Sequence, residues 1–99
     1  MRLSNRQKEA LDGALEEAAL PEGSRVYIFG SRADATARGG DIDLLVYAPG
    51  VDVEDLRRSI RRAFERRLSE RIDVVVIDPE DPDQDTLTFA DAVQKERIR

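Results

Sequence analysis

The chain has 99 residues, 40% of them hydrophobic and 37% charged, which is enough apolar material for one modest core and one domain over residues 1–99. Because it contains neither Cys nor His, we exclude disulfides, thiolate nucleophiles, the usual zinc sites and histidine acid–base catalysis, and any metal must be held by oxygen. The net charge of −5 argues against general affinity for nucleic acid, and the lack of a long apolar run or a signal-peptide pattern predicts a cytoplasmic protein with no membrane partner.

The N-terminal half predicts one helix followed by two strands. A capping box of Ser4 and Gln7 begins a helix over about residues 5–19. Residues 25–29 are β-branched and aromatic and predict a buried strand, and residues 41–47 predict a second. Only about ten residues separate these strands, whereas a parallel crossover usually needs a dozen or more, so an antiparallel pair is favoured.

The C-terminal half predicts two further helices around a third strand. Asp52 can cap a helix that ends near Leu68, and residues 71–77 predict an almost continuously apolar strand. After an acidic loop, a last helix is expected over about residues 86–97, with three apolar residues facing inward: Leu87, Ala90 and Val93. The predicted order α-β-β-α-β-α corresponds to an α+β fold with a small mixed, partly antiparallel sheet flanked by helices.

Three carboxylates lie on the predicted strands. Side chains alternate across a strand, so Asp41 and Asp43 project from one face of the second strand. Asp73 lies near the start of the third strand, at the edge of the core. Adjacent like charges are unfavourable and favour a bound cation, so a divalent ion is the obvious candidate. If the second and third strands pair, all three carboxylates converge.

A possible phosphate site lies at the end of the first strand. Gly30 has no Cβ to keep an anion away, and Ser31 adds a hydroxyl and a main-chain N–H. Carboxylates beside a phosphate cradle are the components of metal-assisted phosphoryl or nucleotidyl transfer, with a carboxylate as the general base. Each motif alone has an ordinary structural interpretation, such as a strand-to-helix junction at Gly30 or an ion pair between Asp73 and Arg71.

Taken together, the motifs resemble those of a known superfamily. The matching segments are Phe29-Gly30-Ser31, Asp41-Ile42-Asp43-Leu44 and Ile72-Asp73-Val74. They resemble the nucleotidyltransferase superfamily of DNA polymerase β, and more narrowly its minimal MNT-type domains, over about residues 24–78. Many relatives continue into a short further strand near the C-terminus, which we expect to be absent or trimmed because this chain stops at Arg99.

The resemblance assigns a role to each motif residue. It implies that three residues contact the nucleoside triphosphate: Gly30, Ser31 and Arg32. It also implies that Asp41 and Asp43 bind two Mg²⁺ ions, and that Asp73 binds one of them and helps to deprotonate the acceptor hydroxyl. The fold implied is that of the polymerase-β-type nucleotidyltransferases.

The activity implied by the resemblance is Mg²⁺-dependent transfer of a nucleoside monophosphate, AMP from ATP, to an acceptor hydroxyl. A domain of 99 residues leaves little room for an acceptor pocket, so the acceptor is expected on another chain. Resemblance to MNT domains implies an all-helical HEPN toxin as that partner, with this protein as its antitoxin. Two alternatives stay open: a non-catalytic nucleotide-binding module that masks a partner sterically, and a small-molecule adenylyltransferase that needs a homodimer to complete its acceptor pocket.

The charge is unevenly distributed along the chain. Residues 57–71 contain seven Arg and two Glu, a local charge of +5. The ordinary interpretation is a solvated helix face with pairs three or four residues apart, and the alternative is a docking surface for an acidic partner or RNA.

Overall fold

The computed structural model describes residues 3–30 and 42–99, which form three helices and a four-stranded mixed sheet. The helices are α1 (Asn5–Ala18), α2 (Val53–Arg67) and α3 (Gln84–Ala92). The strands are β1 (Arg25–Phe29), β2 (Ile42–Tyr47), β3 (Ile72–Ile77) and β4 (Lys95–Arg97). In the order β3-β2-β1-β4, β1 is antiparallel to both β2 and β4, whereas β2 and β3 are parallel. These elements confirm the predicted α+β fold and the antiparallel pairing of the first two strands.

The first two helices begin at the capping residues identified in the sequence. Ser4 Oγ accepts a hydrogen bond from Gln7 N at 3.1 Å, and Gln7 Oε1 accepts one from Ser4 N at 2.9 Å, which completes the capping box of α1. Asp52 caps α2 by accepting a hydrogen bond from Asp55 N at 3.0 Å. None of the helices within the described ranges is long and apolar enough to cross a lipid bilayer.

The two faces of the sheet are covered unequally. One face packs against α1 and α2 and holds the larger core, which includes Val26, Ile28, Ile42, Leu44, Val46, Ile72, Val74 and Val76. The other face holds a smaller cluster that includes Phe29, Leu45, Tyr47 and Ile77. Among the helices of residues 3–30 and 42–99, α3 is the one that packs on this second face, and the three residues predicted to point inward join the cluster there: Leu87 and Ala90 of the helix and its C-cap residue Val93. The second face therefore leaves room for polar residues where α3 does not reach.

The C-terminal segment differs from the prediction. α3 ends at Ala92 and not near Arg97, and residues 95–97 form a strand on the outer edge of β1. Val93 leaves the helix with φ −78° and ψ 148°, and Ile98 N donates to Val26 O at 2.8 Å. The expectation that the last strand is absent or trimmed was wrong. Its Lys-Glu-Arg sequence has no apolar alternation, and it pairs with β1 through backbone groups of the sheet edge, which leave no local sequence signal.

The arginines of α2 form ion pairs typical of a solvated helix face. Arg57 pairs with Glu54 at 3.0 Å, Arg61 pairs with Glu65 at 3.7 Å, and Arg58 pairs with Asp55. Arg66 and Arg67 both contact Glu17 of α1, and their hydrogen bonds hold the pKa of Glu17 below its usual value. This pairing favours the ordinary interpretation of the arginine-rich segment.

The turns after the two central strands are tied together by a buried carboxylate. Asp78 follows β3, and its Oδ1 accepts hydrogen bonds from Gly50 N at 3.0 Å and from Glu80 N at 2.9 Å. Gly50 lies in the turn that follows β2, so Asp78 links the carboxyl ends of the parallel pair.

Replacing Asp78 by Ala should lower the free energy of unfolding by about 1–3 kcal/mol, because two backbone donors lose their acceptor. Urea denaturation measures this change. The control is Asp81→Ala, which removes an exposed carboxylate on the same turn and should change stability by less than about 0.5 kcal/mol. Equal effects of the two substitutions would contradict the linking role of Asp78.

The start of α3 predicts a pH dependence. The Asp83 carboxylate accepts hydrogen bonds from Thr86 N and Thr86 Oγ1, at 2.9 and 2.7 Å, and these bonds hold the pKa of Asp83 below its ordinary value of 3.8. Because the pKa is lowered on folding, the stabilisation is complete above 3.8 and is lost as the pH falls through the folded-state value. Asp83→Ala should therefore lower the Tm at neutral pH, and the difference from wild type should shrink towards about pH 2. A difference independent of pH would contradict this role.

Candidate functional site

Four residues form a row across one face of the sheet. The strand register aligns Asp73 of β3 with Asp43 of β2, Asp43 with Phe29 of β1, and Phe29 with Lys95 of β4. Residues directly paired across neighbouring strands project their side chains from the same face. The row therefore places two carboxylates, an aromatic ring and an ammonium side by side on the face that α3 covers only in part.

β2 and β3 pair, which is the condition under which the sequence predicts that the carboxylates lie close together. Because β2 and β3 pair in parallel register, Asp43 and Asp73 lie on adjacent strands, about 4.8 Å apart along the hydrogen-bonding direction. Asp43 is half-buried and Asp73 is exposed on the edge strand. Asp41 lies outside the described residues, so the convergence of all three carboxylates stays a prediction. Within residues 3–30 and 42–99, no three acidic residues form a group that could hold a metal ion.

Asp73 is open to a ligand. Among the described residues, none forms a hydrogen bond or an ion pair with its carboxylate, so the structure does not support an ion pair with Arg71. Its nearest carboxylate neighbour in the sheet is Asp43, which carries the same charge. A divalent cation bound between the two would interact favourably with both charges.

Gly30 packs against one of these carboxylates. Its φ is +68°, and a Cβ at this position would lie 2.9 Å from Asp43 Oδ2. A side chain at position 30 would therefore adopt a disfavoured left-handed conformation and also collide with Asp43. The N–H of Gly30 donates to Gln94 O at 3.2 Å, next to β4. Gly30 thus supplies close approach to the carboxylate, while its own amide is already bonded to the protein.

Ser31 and Arg32, the other two residues expected to contact phosphate, lie outside the described residues. Their contacts with a triphosphate therefore stay a prediction. Of the six site residues expected from the sequence, the structure brings three together at one edge of the sheet: Gly30, Asp43 and Asp73.

Asp43 and Asp73 could supply two of the oxygen ligands of a divalent cation. Mg²⁺ prefers oxygen ligands and is commonly held by one or two carboxylates together with phosphate oxygens and water. Asp43 and Asp73 offer adjacent carboxylates on one face, and the missing Cβ of Gly30 leaves Asp43 Oδ2 close to the backbone.

The structure adds two residues that sequence reasoning missed. Lys95 Nζ donates to Ala90 O at 2.9 Å, which holds its ammonium at the last turn of α3. Phe89 of α3 packs edge to face on Phe29, with ring centroids 5.6 Å apart and an interplanar angle of 83°. Phe89 could have been noticed in the sequence, because it is an aromatic residue one position away from the apolar stripe of the last helix.

Comparisons with known proteins indicate one family. The family model for polymerase beta nucleotidyltransferases matches residues 18–96, which include Gly30, Asp43 and Asp73. The chain is also similar to a protein from Sulfolobus solfataricus, known from a crystal structure and described as a candidate nucleotidyltransferase. The two are 25% identical, with a TM-score of 0.51, and the similarity covers 98% of this chain and 89% of that one. Comparison with curated protein sequences gave no match.

The contact between Gly30 and Asp43 can be tested with two glycine variants. Gly30→Ala and Gly50→Ala both place a side chain at a positive φ, +68° and +70°, so each should lose about 1–2 kcal/mol of stability. A Cβ at Gly50 meets nothing closer than 3.8 Å, whereas one at Gly30 meets Asp43 Oδ2. Gly30→Ala should therefore lose at least as much stability as Gly50→Ala in urea denaturation, and it alone should displace the Asp43 carboxylate.

A crystal structure of each variant supplies the second readout of the same contact. The Asp43 side chain should rotate away in Gly30→Ala and keep its position in Gly50→Ala. An unmoved Asp43 in Gly30→Ala would contradict the tight packing described here.

Proposed function

The chain belongs to the polymerase beta nucleotidyltransferase family, and we propose that it transfers AMP from ATP to an acceptor hydroxyl in a Mg²⁺-dependent reaction. The observation that carries this proposal is the register of β2 and β3, which sets Asp43 beside Asp73 next to Gly30. Adjacent carboxylates beside a backbone without a Cβ suit a ligand that combines a divalent cation with phosphate.

Three carboxylates would hold the magnesium ions: Asp41, Asp43 and Asp73. When bound, the ions would neutralise charge on the triphosphate and stabilise the oxygens that attack and leave the α-phosphorus. Asp43 is half-buried against Gly30, which suits a ligand with a fixed orientation. Asp73 is exposed, which suits a group that must also meet an incoming substrate.

The phosphate side of the site is assigned to the segment that begins at Gly30. Because the Gly30 N–H is bonded to Gln94 O, its contribution is the space that its missing side chain leaves. We assign the triphosphate contacts to Ser31, through its hydroxyl and N–H, and to Arg32, through its guanidinium.

The reaction needs a base, and a carboxylate is the available group. The chain has no His or Cys, and the Lys95 ammonium donates a hydrogen bond to Ala90 O. The acceptor oxygen attacks the α-phosphorus, the bond to the bridging oxygen breaks, and pyrophosphate leaves. Asp73 accepts the proton of the hydroxyl, directly or through water, because it is the exposed carboxylate of the pair.

The acceptor is assigned to a second protein. Asp73 lies exposed on β3, an edge strand of the sheet, and none of the described residues forms a hydrogen bond or an ion pair with its carboxylate. A hydroxyl presented by another chain can reach this open edge. The resemblance to MNT domains suggests a helical HEPN toxin as that chain, and adenylylation of the toxin by this protein would then be its antitoxin activity.

The test is incubation of the protein with ATP, Mg²⁺ and the product of the adjacent gene as the candidate partner. Mass spectrometry should show one AMP added to the partner. Asp73→Asn should slow this addition by about 10²–10⁴-fold, because it removes the base and a metal ligand. Asp43→Asn should abolish it, and omission of Mg²⁺ should do the same.

Asp81→Asn is the matched control, because it neutralises an exposed carboxylate on the turn after β3, at the opposite end of that strand from Asp73. It should leave the rate unchanged. Inhibition of the partner that survives the combined Asp43→Asn and Asp73→Asn variant, without added AMP, would replace catalysis by steric masking. Transfer to an aminoglycoside by a dimer, with none to the protein partner, would favour a small-molecule acceptor.

A further inference from the structure

A large aromatic side chain is exposed close to the carboxylate pair. Phe89 has 44% of its surface exposed. Within residues 3–30 and 42–99, no other large apolar side chain is exposed. The neighbouring residue in α3, Ala90, is completely buried, so the helix is firmly seated while the Phe89 ring remains in solvent. The part of the Phe89 ring that does not pack on Phe29 is therefore accessible to a ligand.

Phe89 packs on Phe29, a residue that lies beside the carboxylate pair. Its ring packs edge to face on Phe29, at 5.6 Å between centroids. Phe29 directly precedes Gly30 and is paired with Asp43 across the sheet. The Phe89 ring therefore packs on the residue that is paired with Asp43, on the same face of the sheet.

The ring is also held in place. Phe29 is only 8% exposed and forms a fixed support beneath it. Lys95 Nζ bonds Ala90 O at the end of α3, and Asp83 caps the start of the helix. A platform that is ordered before the ligand arrives loses little entropy on binding.

We propose that Phe89 is the surface on which the nucleobase of the triphosphate stacks. This inference rests on the proposed function and adds to it the residue that receives the base. A nucleoside triphosphate has a charged triphosphate at one end and a flat, weakly polar base at the other. In the site, the carboxylates would receive the triphosphate with its Mg²⁺, and Phe89 would receive the base. Every nucleobase has a π-face, so such a platform favours purines by their larger stacking area and does not read hydrogen-bonding groups.

The experiment compares two ligands that differ only in the base. ATP and ribose 5′-triphosphate, each with Mg²⁺, are titrated into the intact protein by calorimetry. ATP should bind wild type about 5- to 100-fold more tightly than ribose 5′-triphosphate, the range expected for one stacked base. GTP should bind about as well as ATP, and CTP and UTP more weakly.

Variants at position 89 test whether Phe89 causes the preference for ATP over ribose 5′-triphosphate. Phe89→Ala should bring ATP affinity down to that of ribose 5′-triphosphate, whose own affinity should not change. Phe89→Leu keeps apolar bulk over Phe29 and should show the same loss, and Phe89→Trp should retain the preference for ATP. Thr88→Ala, at the neighbouring exposed position of α3, is the control and should leave both affinities as in wild type.

The outcomes separate the two proposals. If ribose 5′-triphosphate binds and the preference for ATP persists in Phe89→Ala and Phe89→Leu, the platform is overturned while the proposed function stands. A parallel loss of both ligands in these variants would also overturn it, since Phe89 would then serve only to seat α3. Failure of wild type to bind either ligand would overturn both proposals together.

Discussion

The parallel register of β2 and β3 is the constraint on which the candidate site depends, because it sets the half-buried Asp43 beside the exposed Asp73. A parallel pair cannot be joined by a tight turn and needs a crossover, which α2 provides. The apolar stripe of α2 packs on the opposite face of the sheet through Leu56, Ile60, Ala63 and Phe64. The same helix thus covers the larger core and returns the chain so that two like charges become neighbours.

One face of the sheet holds the larger core, and the other holds the candidate site. Helices α1 and α2 seal one face, where the side chains of the central strands are almost completely buried. In the part of the chain that the structure describes, α3 is the helix on the other face, where the row of Asp73, Asp43, Phe29 and Lys95 has its exposed end at Asp73. Stability gained on the first face can offset the repulsion between carboxylates on the second. This arrangement suits a small domain in which a single layer of strands must provide both the core and the site.

Much of the fold could be predicted because local signals agreed with the final packing. The capping box of α1, the Asp52 cap of α2 and the alternation along β2 and β3 each depend on residues close together in the chain, and the structure confirms them. β4 was missed because it pairs with β1 through backbone groups, and a Lys-Glu-Arg edge strand carries no hydrophobic pattern. The end of α3 was misplaced for the same reason, since nothing local distinguishes residues 93–97 from a continued helix.

By itself, the sequence determined which residues could do chemistry and which face of each strand they occupy. The absence of His and Cys restricts the chemistry to oxygen ligands and carboxylate bases, and the alternation of side chains along a strand assigns Asp43 and Asp73 to a face. Only the tertiary structure decided that these two carboxylates are neighbours, that Asp43 lies against Gly30, and that Phe89 reaches the same edge. These contacts join residues far apart in the chain, and they exist because strands pair and helices pack, which the local pattern of residues does not specify.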